Sequence, residues 1–101
     1  MGCENPQTEN YEVMVDELYN KMSLEERVAQ LQSCYMNELF DENGELDTAL
    51  CKERIPNGIG HFSQYASQIP MDANTLRDRV AKVQEWLMNN TPNGIPALFH
   101  E

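Results

Sequence analysis

The tetrapeptide Pro-Asn-Gly-Ile occurs twice in this chain of 101 residues, at 56–59 and again at 92–95. Each copy follows a segment with helical periodicity and precedes a short apolar run. Pro cannot continue a helix, and Gly accepts the left-handed backbone conformation with which helices commonly end. We therefore predict that each copy ends a helix and begins a strand.

The segment between the two copies carries the clearest helical pattern in the sequence. It begins at Asp72 or Asn74 and runs to about Asn89. Its predicted apolar stripe consists of Leu76, Val80, Val83 and Leu87, with Trp86 beside it as a core residue. Predicted strands at 58–64 and 95–101 flank this helix, so the order is strand, helix, strand. That order requires parallel pairing through a crossover, and the strand composition is typical of strands buried on both faces.

The first half of the chain is predicted to be mainly helical after a flexible tail at 1–8. A first helix spans about 9–22, and Ser23 begins a second through the capping box Ser-Leu-Glu-Glu. The second helix is predicted to end near Ser33. The apolar residues predicted to face inward are Tyr11, Val15, Leu18, Met22, Leu24, Val28 and Leu31. A Leu18→Asp or Leu31→Asp change is accordingly expected to bury an unpaired carboxylate and to be strongly destabilising.

Two shorter features precede the first predicted strand. Asp-Glu-Asn-Gly at 41–44 predicts a turn in which Gly44 takes a positive φ angle. Residues 47–54 predict a short helix with Asp47 as its N-cap.

Charge and cysteine content exclude several classes of protein. Seventeen acidic residues against seven Lys and Arg give a net charge of −10, which would repel a nucleic acid. No apolar run approaches the ~20 residues that cross a bilayer. The cysteines Cys3, Cys34 and Cys51 contain no Cys-x-x-Cys pair, so neither a zinc site nor a disulfide framework is predicted.

Cys3 lies directly after Gly2 in a polar segment that shows no signal-peptide pattern. This arrangement is what remains when a lipoprotein signal is removed up to its cysteine and a start Met-Gly is added. On that hypothesis the protein is secreted or periplasmic and is anchored through Cys3. The alternative is an incidental cysteine in a tail.

Two strands are too few for a stable sheet that is covered on both faces. Parallel sheets also carry their chemistry at the carboxyl ends of their strands, and this sequence stops where its second predicted strand stops. We therefore interpret the chain as the beginning of a larger α/β domain.

The segment VDELYNKMSLEERVAQLQS at 15–33 resembles the opening helix signature of glycoside hydrolase family 3, a LLxxMTLEEKxxQL-like stretch. The segments NGIGHF, NTLRDRVAKVQEWLMNNT and GIPALFHE continue the resemblance in the family's order, so that it covers about 11–101. It implies the amino-terminal portion of a (β/α)8 TIM barrel, truncated after its second strand. It also implies retaining, exo-acting hydrolysis of terminal β-linked glucose or xylose from oligosaccharides or glycosides, with no cofactor.

The resemblance also bears on the site. Retaining hydrolysis needs two carboxyl groups about 5–5.5 Å apart, and in the family both come from later segments, so the chain alone is predicted to be inactive. The family's Lys-His pair and arginine that hold the sugar also have no match here. A sugar-binding carboxylate of the family would align one position past Glu101, which makes Glu101 a candidate substrate-binding residue.

Three further residues near the first strand are considered as site residues. Gln64 and Tyr65 are candidates for substrate binding because sugar sites commonly combine an aromatic face with amide donors. His61 could point into a barrel interior, although a histidine hydrogen-bonded within the core is the alternative.

Two other classes of function stay open. The chain could be a self-sufficient small α/β binding or interaction module without catalysis, or a purely structural piece. In the glycosidase reading its partner is a carbohydrate substrate. The isolated chain is expected to self-associate, because unpaired strand edges recruit other chains.

Overall fold

The computed structural model describes residues 6–63 and 72–100, which form a mixed α/β domain. Its elements are α1 (Pro6–Lys21), α2 (Leu24–Ala29), β1 (Ser33–Tyr35), a 3-10 helix (Met36–Leu39), α3 (Thr48–Arg54), β2 (His61–Ser63), α4 (Ala73–Asn90) and β3 (Leu98–His100). The first helix begins three residues before its predicted start.

The three strands form one parallel sheet in the order β1-β2-β3. Phe62 at the centre of β2 is in register with Cys34 of β1 and with Phe99 of β3. The predicted β-α-β unit is therefore confirmed as β2, α4 and β3. The prediction of only two strands is wrong, because β1 precedes them at residues that were assigned to the end of the second helix and to the segment after it.

The second helix ends early because another part of the chain crosses its carboxyl end. The backbone N–H of Gly60 donates to the Ala29 carbonyl at 3.1 Å. A Cβ atom on Gly60 would lie 1.9 Å from the Gln30 carbonyl oxygen. The chain entering β2 thus meets α2 at backbone contact distance, and the residues after Gln32 pair with β2 instead of continuing the helix.

One face of the sheet packs against the helices. Phe62 is fully buried and stacks on Phe99 with ring centroids 5.1 Å apart. The buried core around it consists of Met36, Leu39, Cys51, Ile55, Ile59, Val83, Trp86, Leu87 and Ala97. The α4 stripe is confirmed, since Leu76 and Val80 pack against this core and Val83, Trp86 and Leu87 lie within it.

Local signals set the starts of three helices as predicted. The Ser23 hydroxyl accepts from the Glu26 N–H at 3.1 Å, and Asp47 accepts from the Leu50 N–H at 3.0 Å. Asp72 accepts from the Thr75 N–H at 2.7 Å, and this bond lowers the pKa of the Asp72 carboxyl. The cap at Asp72 therefore stabilises α4 at neutral pH and is lost as the pH falls through that lowered pKa. The turn at 41–44 is also confirmed, with Gly44 at a φ of 78°.

The predicted inward faces of the first two helices are wrong for the described structure. Leu24 is 71% exposed and Leu31 is 84% exposed, whereas the buried residues of α2 are Glu26 and Ala29. All side chains from 10 to 21 in α1 are exposed as well. Met22 alone among the residues predicted to face inward is half-buried. Leu31→Asp would therefore place its carboxylate in solvent and is not expected to destabilise the chain strongly.

The capping box connects α2 to the second Pro-Asn-Gly-Ile copy. Glu26 is only 4% exposed, and its carboxylate accepts from the Ser23 N–H at 3.1 Å. The Asn93 side-chain amide donates to both carboxylate oxygens, at 2.9 and 2.8 Å. These bonds satisfy a buried charge and fix the loop before β3 against the start of α2.

The two asparagines of the repeat should therefore differ in their effect on stability. Asn93→Ala is expected to lower the free energy of unfolding by about 1–3 kcal/mol, because a buried carboxylate loses its donors. Asn57→Ala is the matched control, since Asn57 has no hydrogen bond to the described residues, and it should cost less than about 0.5 kcal/mol. Chemical denaturation measures both. Equal losses for the two variants would contradict the role assigned to the Glu26–Asn93 contact.

Candidate functional site

The three residues predicted to bind substrate, Gln64, Tyr65 and Glu101, lie outside the described residues. Cys3 lies outside them too. The neighbouring strand residues are described by the structure, because β2 leads into 64–71 and β3 leads to Glu101. The candidate site is described from these strand residues.

The second face of the sheet is mainly polar, although Leu98 also lies on it. Successive side chains of a strand point to opposite faces, so the neighbours of Cys34, Phe62 and Phe99 all point away from the helices. These residues are Ser33, Tyr35, His61, Ser63, Leu98 and His100. Each of them is exposed or half-buried, so the prediction that the strands are buried on both faces is wrong for the described structure.

Two pairs of polar groups meet on this face. The His61 and His100 rings lie with centroids 4.8 Å apart and planes inclined by 37°. The Ser33 and Ser63 hydroxyl oxygens lie 3.3 Å apart across β1 and β2. Imidazoles and hydroxyls can each donate and accept hydrogen bonds. The face is therefore suited to a polar ligand with several hydroxyl groups.

The structure tests one of the two roles considered for His61, that of a core histidine held by hydrogen bonds. His61 is half-buried on the polar face, and within the described part of the chain no hydrogen bond reaches its ring. It is thus not a core histidine fixed by hydrogen bonds. It lies on the sheet face opposite to Phe62, and its position relative to a barrel interior stays a prediction.

The described thiols are not suited to nucleophilic catalysis. Burial raises the pKa of both Cys34 and Cys51 to about 11, with nearby Glu38 and Asp47 respectively as further causes. Both thiols are therefore protonated at neutral pH, and the thiolate is the reactive form. Cys34 also points to the core side of the sheet.

The described residues do not assemble a glycosidase carboxylate pair. Among them Glu26 is the only buried charged residue, and its carboxylate is occupied by Ser23 and Asn93. That the catalytic carboxyl groups come from later segments stays a prediction.

A groove of about 440 Å³ lies between α2 and the end of α3. Leu24 and Val28 form one side, and Arg54, Pro56 and Asn57 form the other. The groove is at the amino end of β2, whereas ligands of parallel sheets bind at the carboxyl ends. We therefore place the candidate site on the polar sheet face and not in this groove.

Comparison of the sequence with protein-family models finds no matching family, and comparison with curated proteins finds no similar sequence. In the described ranges, none of the helices combines the length and apolar character needed to cross a membrane.

Four residues of this face were not predicted from the sequence as site residues, namely His100, Ser63, Ser33 and Tyr35. The sequence contained the information for His100 and Ser63, because each adjoins a Phe that faces the core, and neighbours in a strand point to the opposite face. The signal for Ser33 and Tyr35 was weaker, because a strand of three residues has too little pattern to separate it from the end of a helix.

Proposed function

We propose that the chain is the amino-terminal part of a (β/α)8 barrel in a retaining, exo-acting β-glycosidase that resembles glycoside hydrolase family 3. The substrate would be a terminal β-linked glucose or xylose in an oligosaccharide or glycoside. β1, β2 and β3 would be consecutive strands of the barrel. The catalytic carboxyl groups would come from later segments, so the chain alone would be inactive.

The observation that supports this proposal best is that helices cover one face of the sheet, whereas no described element covers the other. The face of Phe62 packs against α3 and α4, and the opposite face carries hydroxyl and imidazole groups without any described element over it. A barrel places helices outside and the other strand face inside. The sequential parallel order β1-β2-β3 is the order in which a barrel is built.

The exposed apolar residues of α1 and α2 also favour a larger protein. Tyr11 of α1, Leu24 of α2 and Leu31, which follows α2, are all more than half exposed. Exposed apolar patches commonly mark contact surfaces. In the proposed enzyme these helices would pack against parts of the protein beyond the described residues.

The alternative is a small α/β binding module without catalysis. It is favoured by one observation, which is that the described elements share a continuous core of their own around Phe62. Its ligand would bind on the same polar face of the sheet.

Expression of the longer gene product tests the proposal. It should hydrolyse an aryl β-glucoside or β-xyloside and release the β-anomer first, as seen by NMR of the fresh product, because two carboxyl groups give retention. Purified 1–101 should show no turnover. In the longer product Glu101→Gln should raise KM more than Glu85→Gln, an exposed control on α4.

Three outcomes would contradict the proposal. One is a reading frame that stops after Glu101. Another is a longer product inactive on all aryl β-glycosides. The third is turnover by 1–101 itself, since that chain lacks the required carboxyl groups in the proposed scheme.

Anchoring through Cys3 and a secreted or periplasmic location stay proposals as well. Membrane-fraction labelling with a lipid precursor, lost in Cys3→Ser, would support them.

A further inference from the structure

The chain contains two histidines, and the fold brings them together. His61 is in register with Leu98, and His100 is in register with Ser63. The two histidines are therefore diagonal neighbours on adjacent parallel strands and share one face of the sheet. Residues 39 positions apart in sequence meet only because β2 and β3 pair.

The separation of the two rings matches that of two imidazoles on one metal ion. A metal–nitrogen distance of about 2.0–2.1 Å, added to the radius of the imidazole ring, puts each ring centroid about 3.2 Å from the ion. For coordination angles between a right angle and the tetrahedral angle, the two centroids are then about 4.5–5.2 Å apart. The observed separation is 4.8 Å.

Both imidazoles are available to a ligand. Their one described interaction is the contact with each other, and no hydrogen bond from the described residues occupies a ring nitrogen. His100 is exposed and His61 is half-buried. An ion could therefore reach the pair from solvent without unfolding the sheet.

We propose that His61 and His100 together chelate one divalent transition-metal ion of the kind that imidazole prefers, namely Zn²⁺, Ni²⁺ or Cu²⁺. No group of three or more His, Cys, Asp or Glu side chains suited to a metal occurs within 6–63 and 72–100. Water completes the coordination, so the ion exchanges readily. The site uses only β2 and β3 and does not depend on the glycosidase proposal.

Calorimetric titration of the folded 101-residue chain with NiCl₂ tests the site. A Cys3→Ser background removes a thiol that could bind the ion independently. We expect one Ni²⁺ per chain. His61→Gln or His100→Gln should each weaken binding at least about tenfold, because the second imidazole then no longer acts at high effective concentration. Ser33→Ala, on the same face, is the matched control and should leave the affinity unchanged.

Titration of the unmutated chain with ZnCl₂, followed by ¹⁵N NMR of the imidazoles, guards against variants that fail to fold. Both histidines should shift together and finish at one equivalent. The proposal is overturned if no ion binds, if two ions bind independently, if only one imidazole responds, or if either glutamine variant keeps the affinity of the background chain.

Discussion

Gly60→Ala should prevent stable folding or lower the free energy of unfolding by more than about 3 kcal/mol, beyond the usual cost of overpacking. The added Cβ would lie 1.9 Å from the Gln30 carbonyl oxygen and 2.7 Å from its carbonyl carbon. These are backbone atoms at the end of α2, so no rotamer change can relieve the overlap. The helix must move away from β2, and the 3.1 Å bond from Gly60 N–H to the Ala29 carbonyl is lost with it.

Gly58→Ala provides the matched comparison two residues earlier. Gly58 has a φ of 92°, but its added Cβ would meet only the Gln30 side-chain nitrogen at 3.6 Å. Its cost is therefore backbone strain alone, about 1–2 kcal/mol. Chemical denaturation followed by circular dichroism measures both variants. If Gly60→Ala were no more destabilising than Gly58→Ala, the close approach of α2 and β2 would be contradicted.

Phe62→Ala should cost about 3–5 kcal/mol, the range for removing a fully buried aromatic side chain. Phe62 is 0% exposed at the centre of the middle strand and stacks on Phe99. The cavity would open between the sheet and α4, where Val83 and Leu87 are also fully or almost fully buried. A domain of this size is commonly stable by only about 5–15 kcal/mol, so the melting temperature should fall sharply.

Leu98→Ala is the control for that experiment, since Leu98 lies on the polar face of β3 and is 75% exposed. It should change the free energy of unfolding by less than about 0.5 kcal/mol. A similar loss for the two variants would mean that the buried and exposed faces of the sheet are assigned the wrong way round. It would also remove the main support for the proposed barrel.

The candidate site was only partly predictable from sequence. The two strands that carry His61 and His100 were located, because a glycine follows a helix end before each of them. Their pairing in register, which sets the distance between the rings, depends on where α4 returns the chain. No local sequence pattern specifies where α4 places β3 relative to β2. The sequence therefore did not indicate that His100 lies next to His61.

The sequence by itself determined the features whose partners are a few residues apart. The Ser23–Glu26 capping box, the Asp47 and Asp72 caps, the turn at Gly44 and the stripe of α4 all follow from local hydrogen bonds or helical periodicity. Only the tertiary structure decided the end of α2, the existence of β1 and the buried side of α2. Those depend on Gly60 meeting Ala29 and on Asn93 meeting Glu26, contacts that span 31 and 67 positions. A buried carboxylate is stable only where a distant donor reaches it, and a three-residue strand forms only where a neighbouring strand supplies its hydrogen bonds.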